Sequence, residues 1–173
     1  MPVSKMLIPG YELRAGSTLE RALLLKFLQR TYKEAYPKQD FSHLAMTVDQ
    51  YLSPETPVWW VEVAGKDAGQ DLSSSRNFSP FSPVLPVGCL WVGNVIDQVK
   101  GDRHSHIFVV YVAPKHRRQG IGAALIQQAE NWARQRGDRQ ITLQVFLDNQ
   151  PALNLYHKMG YQPYSLLMQK PLS

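Results

Sequence analysis

A single cysteine, Cys89, stands among 173 residues, which excludes an intramolecular disulfide and any zinc centre built from several thiolates. It lies in an apolar, strand-like run, the setting of an inert buried thiol rather than a nucleophile. Long hydrophobic runs are missing too. Nothing after Met1-Pro2-Val3-Ser4-Lys5 has the length of a signal peptide or a membrane span. We therefore expect a soluble protein with no membrane partner, in a reducing compartment, most simply the cytoplasm. There is no internal repeat, no long basic tail and no DNA- or RNA-binding motif. Lys and Arg nevertheless total 19 against 14 Asp and Glu, a net charge of +5. An anionic partner fits that excess, and a phosphorylated small molecule fits it better than nucleic acid. With 44% hydrophobic and 19% charged residues, the composition is that of an ordinary globular chain of one-domain size.

What the chain does have is a strand that runs into a basic, glycine-bearing turn and then a helix. Residues 107–112 are β-branched or aromatic, and Pro114, which has no ladder donor, stops them. Beyond it Ala123, Ala124, Leu125, Ile126, Ala129, Trp132 and Ala133 recur at three- and four-residue spacings and form one apolar helix face. Gly120 and Gly122 thus fall in the first turn, where unpaired N–H groups and the helix dipole favour an anion. Arg117 and Arg118 add charge and planar donor forks. Two named phosphate signatures fail. There is no Gly-x-x-x-x-Gly-Lys-Ser/Thr, and Gly120-Ile121-Gly122 lacks the third glycine of the dinucleotide fingerprint. On these residues alone, a plain strand-to-helix turn stays open.

The segment resembles instead the cofactor motif of the GNAT superfamily of acyl-CoA-dependent N-acyltransferases. That motif is Arg/Gln-x-x-Gly-x-Gly/Ala after a Val-x-Pro strand end, and Arg117, Gly120 and Gly122 fill it. A second match lies downstream: Asn149, Ala152, Leu155, Tyr156, Gly160 and Tyr161 are similar to the family's Asn-x-x-Ala-x-x-Leu-Tyr-x-x-x-Gly-Phe/Tyr. The resemblance implies an α+β GNAT fold, a twisted, mixed and mostly antiparallel sheet flanked by helices. The sheet would splay between the strand ending at Val112 and the strand starting at Ile141, with the cofactor in the splay. The implied activity is transfer of an acetyl group from acetyl-CoA to a primary amine, by direct attack in a ternary complex, without a metal, in a monomer or homodimer. A non-catalytic acyl-CoA-binding sensor or partner module is the alternative.

Residue roles follow from the same resemblance. The segment Val110-Tyr111-Val112 would hold the pantetheine arm through the backbone of Val110 and Val112, and the Val110 N–H would polarise the thioester carbonyl. Arg118, Gln119, Gly120, Ile121, Gly122 and Ala123 would supply the pyrophosphate nest, and Arg117 is a further cofactor-binding residue, at least one of the two arginines reaching the cofactor. Asn149, a helix cap by type and place, would also touch pantetheine. Tyr156 would give its proton to the leaving thiolate, a task that suits a phenol neutral at pH 7; with Ala152 and Leu155 it equally has the spacing of a core aromatic. The general base is less legible. Relatives that acetylate protein N-termini carry Glu where this chain has Gln144, which cannot take a proton. In lysine-directed relatives a Glu stands where this chain has His106, whose ordinary pKa of about 6.5 suits the task. A merely solvated strand-end histidine is the other reading, and His104, Glu62, Asp97 and water stay open as bases.

The remaining pattern predicts strands over 11–14, 58–63, part of 84–96, 141–147 and 161–168, and helices over 17–36 and 41–51. Leu19, Leu23, Leu24, Phe27, Leu28 and Tyr32 are expected to be the buried face of the first helix, and Leu44, Val48 and Tyr51 keep helical spacing in the second. Gly, Asp, Ser and Pro crowd 65–86, so the single domain over 1–173 is expected to carry a flexible insertion there, in which Phe78 and Phe81 offer a way to cover the acceptor. Trp59 and Trp60 point to opposite faces, one expected in the core and the other beside the acceptor cleft. Nothing in the residues identifies the acceptor.

Overall fold

The computed structural model describes residues 4–65 and 85–172, so the expected insertion lies, but for its edges, outside the described residues. Two compact units result, one ending at Leu143 and one beginning at Gln144, each described by itself.

The first unit is built on a six-stranded sheet in sequence order: β1 (Ser4–Ile8), β2 (Tyr11–Ala15), β3 (Val58–Val63), β4 (Gly88–Ile96), β5 (Arg103–Val112) and β6 (Ile141–Leu143). Neighbours are antiparallel except β5 and β6, which are parallel. A parallel pair needs a crossover, and helix α3 (Ile121–Gln135) supplies it. The strand β1 carries no strong alternation of its own and was not expected; its pairing to β2 makes it one. Conversely β6 is three residues long rather than seven.

Helices α1 (Arg21–Ala35) and α2 (Leu44–Tyr51) cover one face of the sheet. Leu24, Phe27, Leu28, Leu44 and Val48 pack there with Trp60, Cys89, Trp91, Val109 and Tyr111. Leu19 is not part of that face: it lies in a 3-10 turn ahead of α1 and is 93% exposed. Tyr51 is half exposed as well, its ring against Phe108. The opposite face buries Val61, Leu90, Val92 and Ile107 under α3, where Ile121, Leu125, Ile126 and Ala129 are the apolar stripe predicted from spacing. Trp60 enters the core as one of the alternating tryptophans must, but Trp59 meets Trp132 of α3, centroids 6.2 Å apart, and so bounds no acceptor cleft on the α2 side. Cys89 is fully buried and its thiol pushed up, which keeps it protonated and unreactive.

One irregularity shapes β5. Val109 lies opposite Trp91 and Ile107 opposite Val92, so Phe108 is an extra residue with no partner, a β-bulge. Its ring covers Gly93: a Cβ there would come within 1.9 Å of it.

The second unit contains one helix, α4 (Gln150–Lys158). The strand predicted over 161–168 is not among the six paired strands. Tyr164, Leu166, Leu167 and Met168 are exposed.

Candidate active site

The end of β5 offers backbone rather than side chains. Ala113 N–H donates to Val87 O at 2.7 Å, and the register Tyr111↔Cys89 and Val110↔Leu90 carries the antiparallel alternation back along the pair. Tyr111 therefore turns its peptide groups to β4, while those of Val110 and Val112 point away from it. On that outer side β6 pairs only Ser105, His106 and Ile107. The outward amides of Val110 and Val112 lie beyond its last paired residue.

The chain then turns through 113–120 into α3. Arg118 holds φ of 63° and Gly120 φ of 90°. Left-handed backbone is costly for arginine and tends to persist where surrounding structure or a ligand site requires it. At Gly120 a Cβ would meet nothing within 4 Å, so conformation and not crowding calls for glycine. Among the described residues no side chain caps α3. Its first intrahelical donor is Ala124 N–H, to Gly120 O at 3.0 Å, which leaves the N–H groups of Ile121, Gly122 and Ala123 directed out of the helix start. Such a concavity suits an anion.

Five hydrogen bonds hold this turn, and two of the anchoring residues, Tyr11 and Glu34, carried no sequence signal. Tyr11 of β2 donates to Gln119 Oε1 at 3.0 Å, so its hydroxyl oxygen accepts from His116 Nδ1 at 2.9 Å. Glu34 of α1 accepts from Tyr111 Oη at 2.7 Å and from Arg117 Nη2 at 2.6 Å. Arg117 Nε in turn donates to the Val112 carbonyl at 2.7 Å. Arg117 is therefore committed to the strand end and to Glu34, and Arg118, like Lys115, is an exposed cation of the turn. Burial, reinforced by the Glu34 carboxylate, pushes the Tyr111 phenol up to about 12.

Lower on β5, His106 and His104 meet at one hydroxyl. Thr142 Oγ1 lies 2.8 Å from His106 Nδ1 and 3.1 Å from His104 Nε2. Burial, with a smaller push from His104, lowers the pKa of His106, so the ring is neutral at pH 7. His104 is not in a loop; β5 begins at Arg103 and the ring is buried. Two other candidate bases are committed: Glu62 accepts from Arg14 Nε at 2.7 Å, and Asp97 takes the backbone N–H groups of Val99 and Lys100 at 2.8 and 2.9 Å. His106 stands four residues before Val110, roughly 13 Å along an ideal strand. Thr142 had one legible signal, its alternate place between Ile141 and Leu143 in a strand beside two histidines at period two.

In the second unit, Asn149 caps α4, its Oδ1 accepting from Ala152 N–H at 3.3 Å. The helix ends in a left-handed Gly160 with φ of 91°, where Tyr161 N–H returns to Tyr156 O at 2.9 Å and Gly160 N–H to His157 O at 3.0 Å. This is the Schellman closure, and it explains the glycine of the second motif. The rings of Tyr156 and Tyr161 lie 5.9 Å apart, and burial raises the Tyr156 phenol. The proton stays on it at neutral pH. Lys158 is exposed. Among the described residues no group of three His, Cys, Asp or Glu is placed to hold a metal, and no helix is long and apolar enough to cross a membrane.

The model of the acetyltransferase (GNAT) family matches residues 24–161. An uncharacterised N-acetyltransferase of Methanocaldococcus jannaschii is 33% identical over 82 residues, 44% of this chain and 34% of that protein. The chain thus spans about a third of that curated relative. An acetyl transferase of Pyrococcus furiosus has the same fold, with a TM-score of 0.65 at 24% identity over 92% of this chain and 99% of its own. So does AAC(6')-Iy, solved with a CoA-linked bisubstrate analogue, at a TM-score of 0.63 and 12% identity over 94% of this chain and 98% of that one.

Proposed function

The chain belongs to the acetyltransferase (GNAT) family, and from that premise we propose that it transfers an acetyl group from acetyl-CoA to a primary amine by direct attack in a ternary complex, in the cytoplasm. The observation that carries this is the outward backbone of Val110 and Val112 on the strand that leads into the uncapped start of α3. An extended arm ending in a pyrophosphate needs that pair of features: an unpaired strand edge, then a nest of N–H groups with a positive dipole.

Arg118, Gln119, Gly120, Ile121, Gly122 and Ala123 hold the pyrophosphate. Arg117 assists by giving up its bond to the Val112 carbonyl when the arm pairs there. The Val110 N–H polarises the thioester carbonyl and then stabilises the oxyanion, already oriented by the strand. His106 takes a proton from the acceptor ammonium, through water given its distance along β5. The amine nitrogen bonds to the acetyl carbon, the C–S bond breaks, and Tyr156 Oη gives its proton to the departing thiolate. Asn149 spends its Oδ1 on the helix cap, and its Nδ2 donors serve the arm.

Incubation with acetyl-CoA and a panel of amines, with free thiol followed against time, tests the activity. The expected result is amine-dependent coenzyme release, with the acetylated acceptor identified by mass. Release independent of every amine, in a protein whose melting point acetyl-CoA does not move, would overturn it.

A further inference from the structure

His106 sits at one end of a side-chain chain whose hydrogen positions can be worked out. Asp97 accepts two backbone N–H groups on Oδ1, and Gln140 Nε2 lies 2.8 Å from Oδ2. A carboxylate only accepts, so Gln140 turns its NH2 group and not its carbonyl toward Asp97. The second hydrogen of that group points at His104 Nδ1, 3.2 Å away. That nitrogen therefore carries a lone pair, and the ring N–H of His104 is on Nε2, aimed at Thr142 Oγ1. The Thr142 hydroxyl receives one donor from His104 and retains one hydrogen and one lone pair for His106 Nδ1.

Two arrangements satisfy that last contact. With the hydroxyl hydrogen toward His106, Nδ1 accepts, the ring proton is on Nε2, and the open side of the ring has no lone pair. With the hydroxyl turned, Thr142 accepts Nδ1–H and Nε2 is free. We propose that Thr142 is the positioning residue that admits His106 to its base-competent Nδ1–H tautomer, and that the chain from Asp97 through Gln140 and His104 orients Thr142 for that task. The proposal rests on His106 as the base.

In that step an N–H bond of the acceptor ammonium breaks, its proton passes through water to the Nε2 lone pair, and the amine keeps the electron pair that attacks the acetyl carbon. The imidazolium keeps Nδ1–H on Thr142 Oγ1. Without the hydroxyl, Nδ1–H would be a half-buried donor with no acceptor there, so the proton moves to Nε2 and closes it.

Among the described residues of this unit, other groups flank the ring as well. Gly93 stands across β4, and Phe108 lies edge-on at 5.5 Å with Tyr51 of α2 behind it. His104 is the ionisable neighbour on β5, and its far side opens on a polar cavity of about 300 Å³ lined by Lys100, Asp102, Arg103 and Arg139.

The test compares wild type with Thr142→Val and Thr142→Ser, reading the His106 ring nitrogens by ¹⁵N NMR beside steady-state kinetics. Wild type and Thr142→Ser should show an Nδ1–H population that Thr142→Val lacks. Turnover of Thr142→Val should fall roughly tenfold or more, toward the range for a lost acid–base group, with acetyl-CoA affinity unchanged and Thr142→Ser near wild type. A Val variant with the wild-type tautomer ratio overturns the proposal, as does wild-type turnover in Thr142→Val while His106→Gln is impaired. Should His106→Gln itself turn over normally, the base assignment fails, and the NMR ratios still decide what Thr142 does to the ring.

Discussion

Helix α3 begins at Gly120 in left-handed backbone with no side-chain cap among the described residues, whereas α4 begins at Asn149, whose Oδ1 accepts the Ala152 N–H. Both starts face the same physical problem, donors without intrahelical partners. One solves it internally and the other leaves it for something outside. Glycine marks the two helices in opposite places as well: at the entry of α3, and at the exit of α4, where Gly160 closes a Schellman turn. An uncapped start beside exposed Arg118 suits an anion, while a capped start is chiefly a device for folding.

The hardest test of that division is Tyr156→Phe, because it removes a proton donor from the capped helix and nothing from the open one. Turnover should fall by roughly 10²- to 10⁴-fold with the acetyl-CoA dissociation constant little changed. A well-folded Phe variant with wild-type turnover would make the residue a packing aromatic, and Tyr156→Ala would then show only a stability loss.

Gly120→Glu attacks the open start. It sets a carboxylate where the pyrophosphate belongs, and it should erase the melting-point rise produced by acetyl-CoA, a stabilisation of about 2.7 kcal/mol when the ligand is at a hundred times its dissociation constant. A folded variant with the full rise would place the cofactor elsewhere.

Asn149 sharpens the contrast because its two functions separate by substitution. Asn149→Ala should lose about 1 kcal/mol of stability with the cap, while Asn149→Asp, which still accepts from Ala152, should keep most of it. If the amide Nδ2 serves the arm, both variants bind acetyl-CoA a few-fold more weakly; if binding is unaltered in both, the start of α4 is a cap alone. Denaturant titration and calorimetry give the two numbers.

The smallest effect lies away from both helix starts. Burial, and secondarily His104, lowers the His106 pKa in the fold, so the neutral ring is what folding favours. The resulting stability is complete above the unfolded value of about 6.5 and is lost as pH falls through the folded value. Melting points taken from about pH 7 down to 5 should therefore decline more steeply for wild type than for His106→Gln. Parallel curves would contradict the shift.

What was legible in the sequence follows the range of the interactions concerned. The α3 stripe, the β5 run and both glycine turns are local patterns, and spacing and turn chemistry announced them. Leu19 kept the helical period yet lies in the 3-10 turn ahead of α1, because the period does not say where a helix begins. The run over 161–168 had strand composition, but pairing decides a strand and composition does not. Tyr11, Glu34 and Thr142 each act on residues 36 to 108 positions away. No local window carries such contacts, which is why the motif residues were visible and the residues that hold them were not.

The extra residue at Phe108 has a consequence for how β5 tolerates editing. Side-chain direction along a strand is a matter of odd and even, and losing one residue inverts everything on one side of the cut. Phe108 stands outside that count, since Ile107 and Val109 already face consecutive partners, Val92 and Trp91. Its deletion would leave His106, Val109 and Tyr111 on the same face as before, and the amides of Val110 and Val112 still outward. Removal of a regularly paired residue upstream or downstream of it would break that agreement. Phe108 is thus the one position in the strand where chain length can change without turning half of the site over, at the cost of the ring that covers Gly93.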